Sequence, residues 1–388
     1  MPQKLNKKHP HPLLEADKIE LVLSGEDYFK RALDIINHSK VKLHLQTYIF
    51  IDDSTGKAVI EAMENAVKRG VKVKLLVDAF GSFALSNHAI HQMQKSGIEF
   101  RTFSPLFVKR RIRFGRRLHH KILVADEREA LIGGINVEDK YHIKKGPHTP
   151  WLDYAAYISG PIGEYINYLC ESTWNGKLYS SRMKYPLQKT AIQKRIPVWI
   201  HHNDWALKKA GISRTHRSAL KRAHESVTII GSYFLPGRRV RKLLKKAASK
   251  KVKIKLILQG ASDVKLMEKA SRWWYAWLFR NNIEIYEWTE TVLHGKVMLI
   301  DKSWASVGSY NINHLSDYAS IETNVYVHDP AFCNSVEEEM ERVIKLSQQI
   351  TPTDYHRKMK PFAQFSCWLS FHFVRLLFGL QFALLAKE

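Results

Sequence analysis

The chain has 388 residues, 45% of them apolar, which is enough for two domains or one two-lobed unit with a sizeable core. Lysine and arginine number 61 against 37 acidic residues, a formal charge of +24, so the expected partner is anionic: nucleic acid, an acidic membrane surface or a phosphorylated substrate. Three widely separated cysteines, Cys170, Cys333 and Cys367, form no CxxC pair; this argues against a disulfide framework or zinc ribbon and fits a reducing cytosol.

The N-terminal stretch MPQKLNKKHPHPLLEADK has no apolar core of signal-peptide length, so no export signal is expected. VKLHLQTYIF (41–50) reads as a β-strand behind a helical segment. An amphipathic helix ending NAVKRG leads into a second strand, VKVKLLVD (71–78), and GIEFRTF (97–103) follows. Next comes LHHKILVAD (118–126), an apolar strand with His119 and Lys121 at its mouth, and then GGIN (133–136). The series then returns as VTIIGSYFLP (227–236), a helix ending LLKKAASKK, VKIKLILQ (252–259), NIEIYEW (282–288), LHGKVMLID (293–301) and GSYN (308–311). Corresponding positions are offset by 185 at Tyr48 and Tyr233, 181 at Val71 and Val252, and 175 at His119 and His294. Order is kept while spacing shrinks, the mark of a duplicated α/β unit. The expected organisation is a tail (1–19), a first unit (20–180), a linker (181–205), a second unit (206–350) and a C-terminal apolar, membrane-associating helix (351–388). The first copy is longer near VKRRIRFGRRL (108–118).

Side chains two apart on a strand share a face, so His119 points with Lys121 and His294 with Lys296. In both copies an Asn, Asn136 or Asn311, follows the histidine by 17 residues. Each copy thus brings an imidazole, an ammonium, an amide and a glycine-relaxed backbone, at Gly133 or Gly308, near one point. That set suits a phosphate better than a neutral group. Asp126 and Asp301 complete the two motifs at strand-to-turn junctions and read as structural support more than chemistry.

HHKILVAD…GGIN and HGKVMLID…GSYN resemble the paired HxKxxxxD motifs of the phospholipase D superfamily, and the likeness runs from about residue 20 to 345. GEDYF (25–29), QTYIFIDDSTGKAVIEAM, RGVKVKLLVDAFGS and SYFLPG are similar to bacterial cardiolipin synthases. The resemblance implies two α/β/α units with mixed sheets around one shared active site. It implies a covalent phosphohistidine, with His119 as nucleophile and His294 as acid and base, although the symmetric motifs allow the reverse. Lys121, Lys296, Asn136 and Asn311, with Gly134 and Ser309, would hold the phosphate oxygens. Glu322 in SIETN matches the family's histidine-orienting glutamate, and Asp153 in PWLDY looks like its counterpart. The scheme needs no metal or cofactor. One departure stands out: where the family commonly carries an arginine after the second Asn, this chain has INHLSDYAS (312–320), with Tyr318 nearby.

His88 and His91, and the adjacent His201 and His202, read as helix-surface histidines, since no further metal ligands fall at suitable spacing. RWWYAWLF (272–279) suits either a core helix face or a lipid interface. The tail from Phe362 is mostly apolar with Gln364, His372 and Arg375 on one stripe, which favours a helix lying in the membrane interface over one that spans it. Basic clusters at 109–117 and 237–251 suit an anionic bilayer or nucleic acid equally, and the tail favours the bilayer. The expectation is therefore a phosphatidyltransferase on the cytoplasmic face of the membrane. Phosphatidylglycerol is the expected partner, and nucleic acid is not. The alternatives are a phospholipase D-type hydrolase or a nucleic-acid phosphodiesterase.

Overall fold

The computed structural model describes residues 14–105, 107–108, 111–112, 116–142, 150–176, 195–204, 209–313, 316–317 and 320–385. In the first half, β1 (Leu14–Ala16), β2 (Lys18–Leu23), β3 (Lys42–Thr47), β4 (Lys72–Asp78) and β5 (Glu99–Phe103) precede a short ribbon, β6 (Phe107–Val108) with β7 (Arg111–Ile112). β8 (Arg117–Leu118), β9 (Lys121–Ala125), β10 (Glu129–Gly133) and β11 (Tyr154–Ser159) follow. The second half holds β12 (Ile196–Asp204), β13 (Lys209–Ala210), β14 (Ser226–Gly231), β15 (Lys253–Gln259) and β16 (Glu284–Trp288). It continues with β17 (Lys296–Ile300), β18 (Trp304–Gly308), β19 (Ser320–Val327) and β20 (Gln348–Ile350). The helices of the first half are α1 (Glu26–His38), α2 (Ser54–Lys68), α3 (Asn87–Lys95) and α4 (Ile162–Trp174). Those of the second are α5 (Gly211–Arg222), α6 (Arg238–Ser249), α7 (Lys265–Arg272), α8 (Tyr275–Phe279) and α9 (Pro330–Leu346), then α10 (Pro352–Lys358) and α11 (Pro361–Leu385).

One sheet runs β2-β11-β10-β9-β3-β4-β5. The other runs β1-β12-β19-β18-β17-β14-β15-β16-β20, with β13 beside β12 and β8 beside β19. Strand for strand, β2-β11-β10-β9-β3-β4-β5 answers to β12-β19-β18-β17-β14-β15-β16. In each, three parallel strands meet an antiparallel motif strand, β9 on β3 and β17 on β14. The sheets are mixed, as expected.

The motif strands are apolar at every position behind their lysines because both faces are covered. Ile122 and Val124 of β9 and Val297 and Leu299 of β17 meet in one central core, with α4 and α9 contributing Ile166, Leu169, Val336 and Met340. The alternate residues Leu123 and Ala125 face an outer core under α1, α2 and α3. Met298 and Ile300 face the equivalent outer core of the second half. Burial of this extent locks the register, since a one-residue slip would exchange the two faces.

Two expectations change here. The second unit opens with β12, inside the stretch expected as a linker, and β1 of the expected tail pairs with it, Leu14 opposite Val198. β12 was not legible as a strand because IPVWIHHND ends in four polar residues, all buried. Each finds a partner: His201 Nδ1 lies 2.6 Å from Thr215 Oγ1, and His202 Nδ1 lies 3.1 Å from Thr323 Oγ1. Asn203 accepts from the Ile212 amide at 2.9 Å, and Asp204 pairs with Arg116 at 2.9 Å. His201 and His202 are therefore buried strand residues, not helix-surface ones, whereas His88 and His91 are exposed on α3. The rest of the expected linker through residue 194, most of the basic cluster at 109–117, and Tyr318 lie outside the described residues.

α11 packs one side against the second unit, where Phe371 meets Trp273 and Trp274 and where Cys367 and Val374 are buried. RWWYAWLF is accordingly a receiving surface for α11, with Tyr275 and Leu278 in the core. The opposite side of α11 leaves Phe362, Phe365, Leu369, Phe373 and Leu376 exposed at helical spacing. Among the described residues, no helix is long and apolar enough to cross a membrane.

Candidate active site

Each motif histidine enters beside a chain segment from the other half. The His119 amide donates to the Ile321 carbonyl at 3.0 Å, just where β8 runs parallel to β19. The His294 amide donates to the Leu152 carbonyl at 2.8 Å, and the Leu152 amide donates to Val292 at 2.9 Å. The residues after Ile321 and Leu152 are Glu322 and Asp153. The carboxylates are therefore exchanged between halves: His119 Nδ1 sits 2.9 Å from Glu322 Oε2, and His294 Nδ1 sits 2.6 Å from Asp153 Oδ2. With both Nδ1 atoms held by carboxylates, each ring keeps Nε2 for chemistry.

Lys121 Nζ donates to the His119 carbonyl at 2.5 Å, and Lys296 Nζ makes the equivalent bond to the His294 carbonyl. Lys296 Nζ also lies 3.8 Å from Asp153 Oδ2. Both lysines and both acids are buried. Burial, and then the neighbouring Lys296, push the Lys121 ammonium down to about 7; burial also lowers Lys296. Burial lowers His119 against the opposing pull of Glu322. It lowers His294 too, helped by Lys296. A bound phosphate anion would reverse these shifts, because an opposite charge nearby favours the protonated form. The site can thus gain a proton on a ring when its anion arrives.

Both asparagines are buried. Asn136 Oδ1 accepts from the Ile49 amide at 3.0 Å, and its Nδ2 donates to the Tyr141 hydroxyl at 3.0 Å. Asn311 Oδ1 accepts from the Ser232 hydroxyl at 2.9 Å. In each, the carbonyl end is occupied and the amide nitrogen remains the donor end.

Two groupings from the sequence are corrected. Gly134 does not face a phosphate; a Cβ built there would lie 2.4 Å from Asp153 Oδ1, so glycine makes room for that carboxylate. Ser309, its counterpart, donates to Glu322 Oε2 at 2.6 Å and so supports the other carboxylate. Asp126 and Asp301 stand with the motifs in sequence but away from the chemistry. Asp126 accepts from the Lys40, Val41 and Lys42 amides, and Asp301 from the His224, Glu225 and Ser226 amides, all within 3.2 Å. Both occupy hairpin turns whose two central residues have positive φ, 51° and 57° at Asp126 and Glu127, 48° and 50° at Asp301 and Lys302.

Four aromatic residues of the site were missed as such. Tyr48 lies 5.1 Å from the His119 ring and Tyr233 lies 6.2 Å from the His294 ring. Their matched place in the repeat was the available signal. Tyr141, with its hydroxyl 3.2 Å from His294 Nδ1, and Trp151, 6.2 Å from the same ring, had none.

Comparison with known proteins agrees with this geometry. The family described as cardiolipin synthase, PLD-like domain, matches residues 32–145 and 217–344. The chain is 32% identical over 371 residues to cardiolipin synthase B of Shigella flexneri, covering 93% of this chain and 88% of the relative. It is 26% identical over 351 residues to a probable cardiolipin synthase of Bacillus subtilis (strain 168), covering 88% and 68%. Its fold is similar to that of phosphatidylserine synthase from Haemophilus influenzae Rd KW20, with a TM-score of 0.73 at 13% identity over 95% of this chain and 96% of that one. With the family matched in both halves and each half completing the other's histidine, the chain belongs to the cardiolipin synthases of the phospholipase D-like family.

Proposed function

We propose that the protein transfers a phosphatidyl group from one phosphatidylglycerol to the hydroxyl of another, giving cardiolipin and glycerol. The crossed carboxylates carry the proposal. Both imidazoles are held by Nδ1, so both can present Nε2 to one phosphorus, flanked by two buried ammonium groups.

In the first step His119 Nε2 attacks phosphorus, and the bond from phosphorus to the glycerol headgroup oxygen breaks. His294, protonated in the anion-loaded site, gives its proton to the leaving oxygen. In the second step neutral His294 takes the proton from the hydroxyl of the incoming phosphatidylglycerol. That oxygen attacks phosphorus, the P–N bond breaks, and His119 is regenerated. Lys121, Lys296 and the amide nitrogens of Asn136 and Asn311 offset charge on the non-bridging oxygens. His119 is assigned as nucleophile because its side chain is 17% exposed against 8% for His294, which is enclosed by Tyr141, Trp151 and Tyr233. Residues 20 onward through β11 and α4, and β12 through α9, form the two units. The exposed apolar side of α11 supports a peripheral seat on a membrane, and the cytoplasmic face is part of the proposal.

The test incubates purified protein with headgroup-labelled phosphatidylglycerol in vesicles, with and without His119→Ala. Cardiolipin plus free labelled glycerol, absent in the variant, is the expected result. Phosphatidate as the sole lipid product would make the enzyme a hydrolase, and no lipid product would overturn the reading.

A further inference from the structure

A cavity of about 300 Å³ lies between the start of α6 and the inner side of α11. Trp274, Phe371 and Val374 line it together with Arg238, Arg241 and Arg375. Among the described residues, none of these three arginines has an ion pair. Arg241 Nη1 donates to the Pro236 carbonyl at 2.9 Å, and its guanidinium lies 3.9 Å from the Trp274 ring centre. Burial and then Arg238 and Arg375 depress Arg241, so three like charges crowd with no anion between them. The cavity also sits at the N-terminus of a twelve-residue helix whose N-cap, Gly237, offers no side-chain hydrogen bond. The helix dipole adds positive potential there. The Trp274 indole nitrogen is shielded from solvent and has no acceptor among the described residues.

We propose that this cavity binds the phosphate of an anionic phospholipid, with the carbons beyond the phosphate meeting Trp274, Phe371 and Val374. The arginine cluster supplies charge-assisted donors for a phosphodiester, and the aromatic wall supplies contact for the first carbons beyond it. The site is separate from the histidines but tied to them by one short segment. Ser232 bonds Asn311, Tyr233 stands beside His294, the Leu235 amide donates to the Ile312 carbonyl at 3.0 Å, and Leu235 and Pro236 line the cavity. This inference extends the membrane role given to α11 and does not depend on the transfer chemistry.

The test titrates full-length His119→Ala protein, which cannot turn lipid over, with monomeric dihexanoyl-phosphatidylglycerol in a calorimeter. A cavity class of sites is expected, weakened roughly tenfold by each of Arg241→Gln and Arg375→Gln. Arg238→Gln, an exposed position whose loss leaves packing intact, is expected to weaken the same class and guards against misfolding of the other two. Dihexanoyl-phosphatidylcholine should bind much more weakly. Unchanged isotherms in all three variants would overturn the proposal, as would equal binding of the zwitterionic lipid. Inorganic phosphate competing as well as the lipid would show a simple phosphate site and overturn the lipid assignment. Cardiolipin formation by the unsubstituted protein, measured in parallel, decides the transfer reading whichever way the titration falls.

Discussion

The two halves carry the same strands in the same order and the same His-x-Lys pair, yet they surround their histidines differently. His119 has Glu322, a serine-supported carboxylate, and one tyrosine ring. His294 has Asp153, the Tyr141 hydroxyl, Lys296 beside Nδ1, and three aromatic rings. The Asp153 carboxylate is shorter, stands against Gly134, and also accepts from the Tyr154 amide at 2.7 Å. In the other half Glu322 Oε1 is buried without a partner among the described residues. Duplication supplied two equal motifs, and packing made them unequal: the His119 side chain is the more exposed of the two, and the His294 ring is enclosed by three aromatic side chains.

The strongest way to break this comparison is to remove each ring in turn. His119→Ala is expected to abolish transfer by on the order of 10⁴-fold or more. His294→Ala should lose about 10²- to 10⁴-fold with phosphatidylglycerol. It should recover most of that loss in the first step alone, read as single-turnover release of nitrophenol from a nitrophenyl phosphatidyl donor whose leaving group needs no proton, while transfer to the acceptor stays slow for want of the base. Rescue of the His119 variant instead would exchange the roles. The carboxylates come next. Glu322→Gln and Asp153→Asn should each cost about 10²-fold, and only Asp153→Asn should be rescued by the nitrophenol donor, because it orients the acid across the halves. Rescue of Glu322→Gln alone would contradict the crossed pairing.

A smaller effect concerns pH. In the proposed mechanism Lys121 works protonated, and its depression to about 7 by burial and Lys296 means that kcat/KM should fall about tenfold per unit as pH rises above it. Lys121→Met should abolish that limb, and a limb unchanged in the variant would assign it elsewhere. The least effect on activity is expected from Asp126→Ala and Asp301→Ala. Each removes the acceptor of three backbone amides, so a loss of about 1–3 kcal/mol in urea unfolding should accompany near-normal turnover. A loss of turnover in the folded variants would return these aspartates to the chemistry.

Much of this was legible in residues alone, because strand periodicity and a repeated motif are local properties. His119, Lys121, His294 and Lys296 are set by i, i+2 spacing on β9 and β17, and the return of the strand series located both halves. Glu322 and Asp153 could be picked out, but not which imidazole each would meet. That depends on β8 running beside β19 and on Leu152 bonding the segment before β17, contacts made across the chain. Gly134 and Ser309 took their meaning from the carboxylates packed behind them. β12 was hidden because its polar end is buried only once Thr215, Ser213, Thr323 and Arg116 arrive to satisfy it. The cavity between α6 and α11 likewise joins residues more than a hundred positions apart. Sequence by itself determined the chemistry available and its two copies, since those follow from residue type and short-range spacing. Tertiary structure alone decided which copy became open, which became enclosed, and where uncompensated positive charge came to rest, because burial and pairing are set by neighbours distant in the chain.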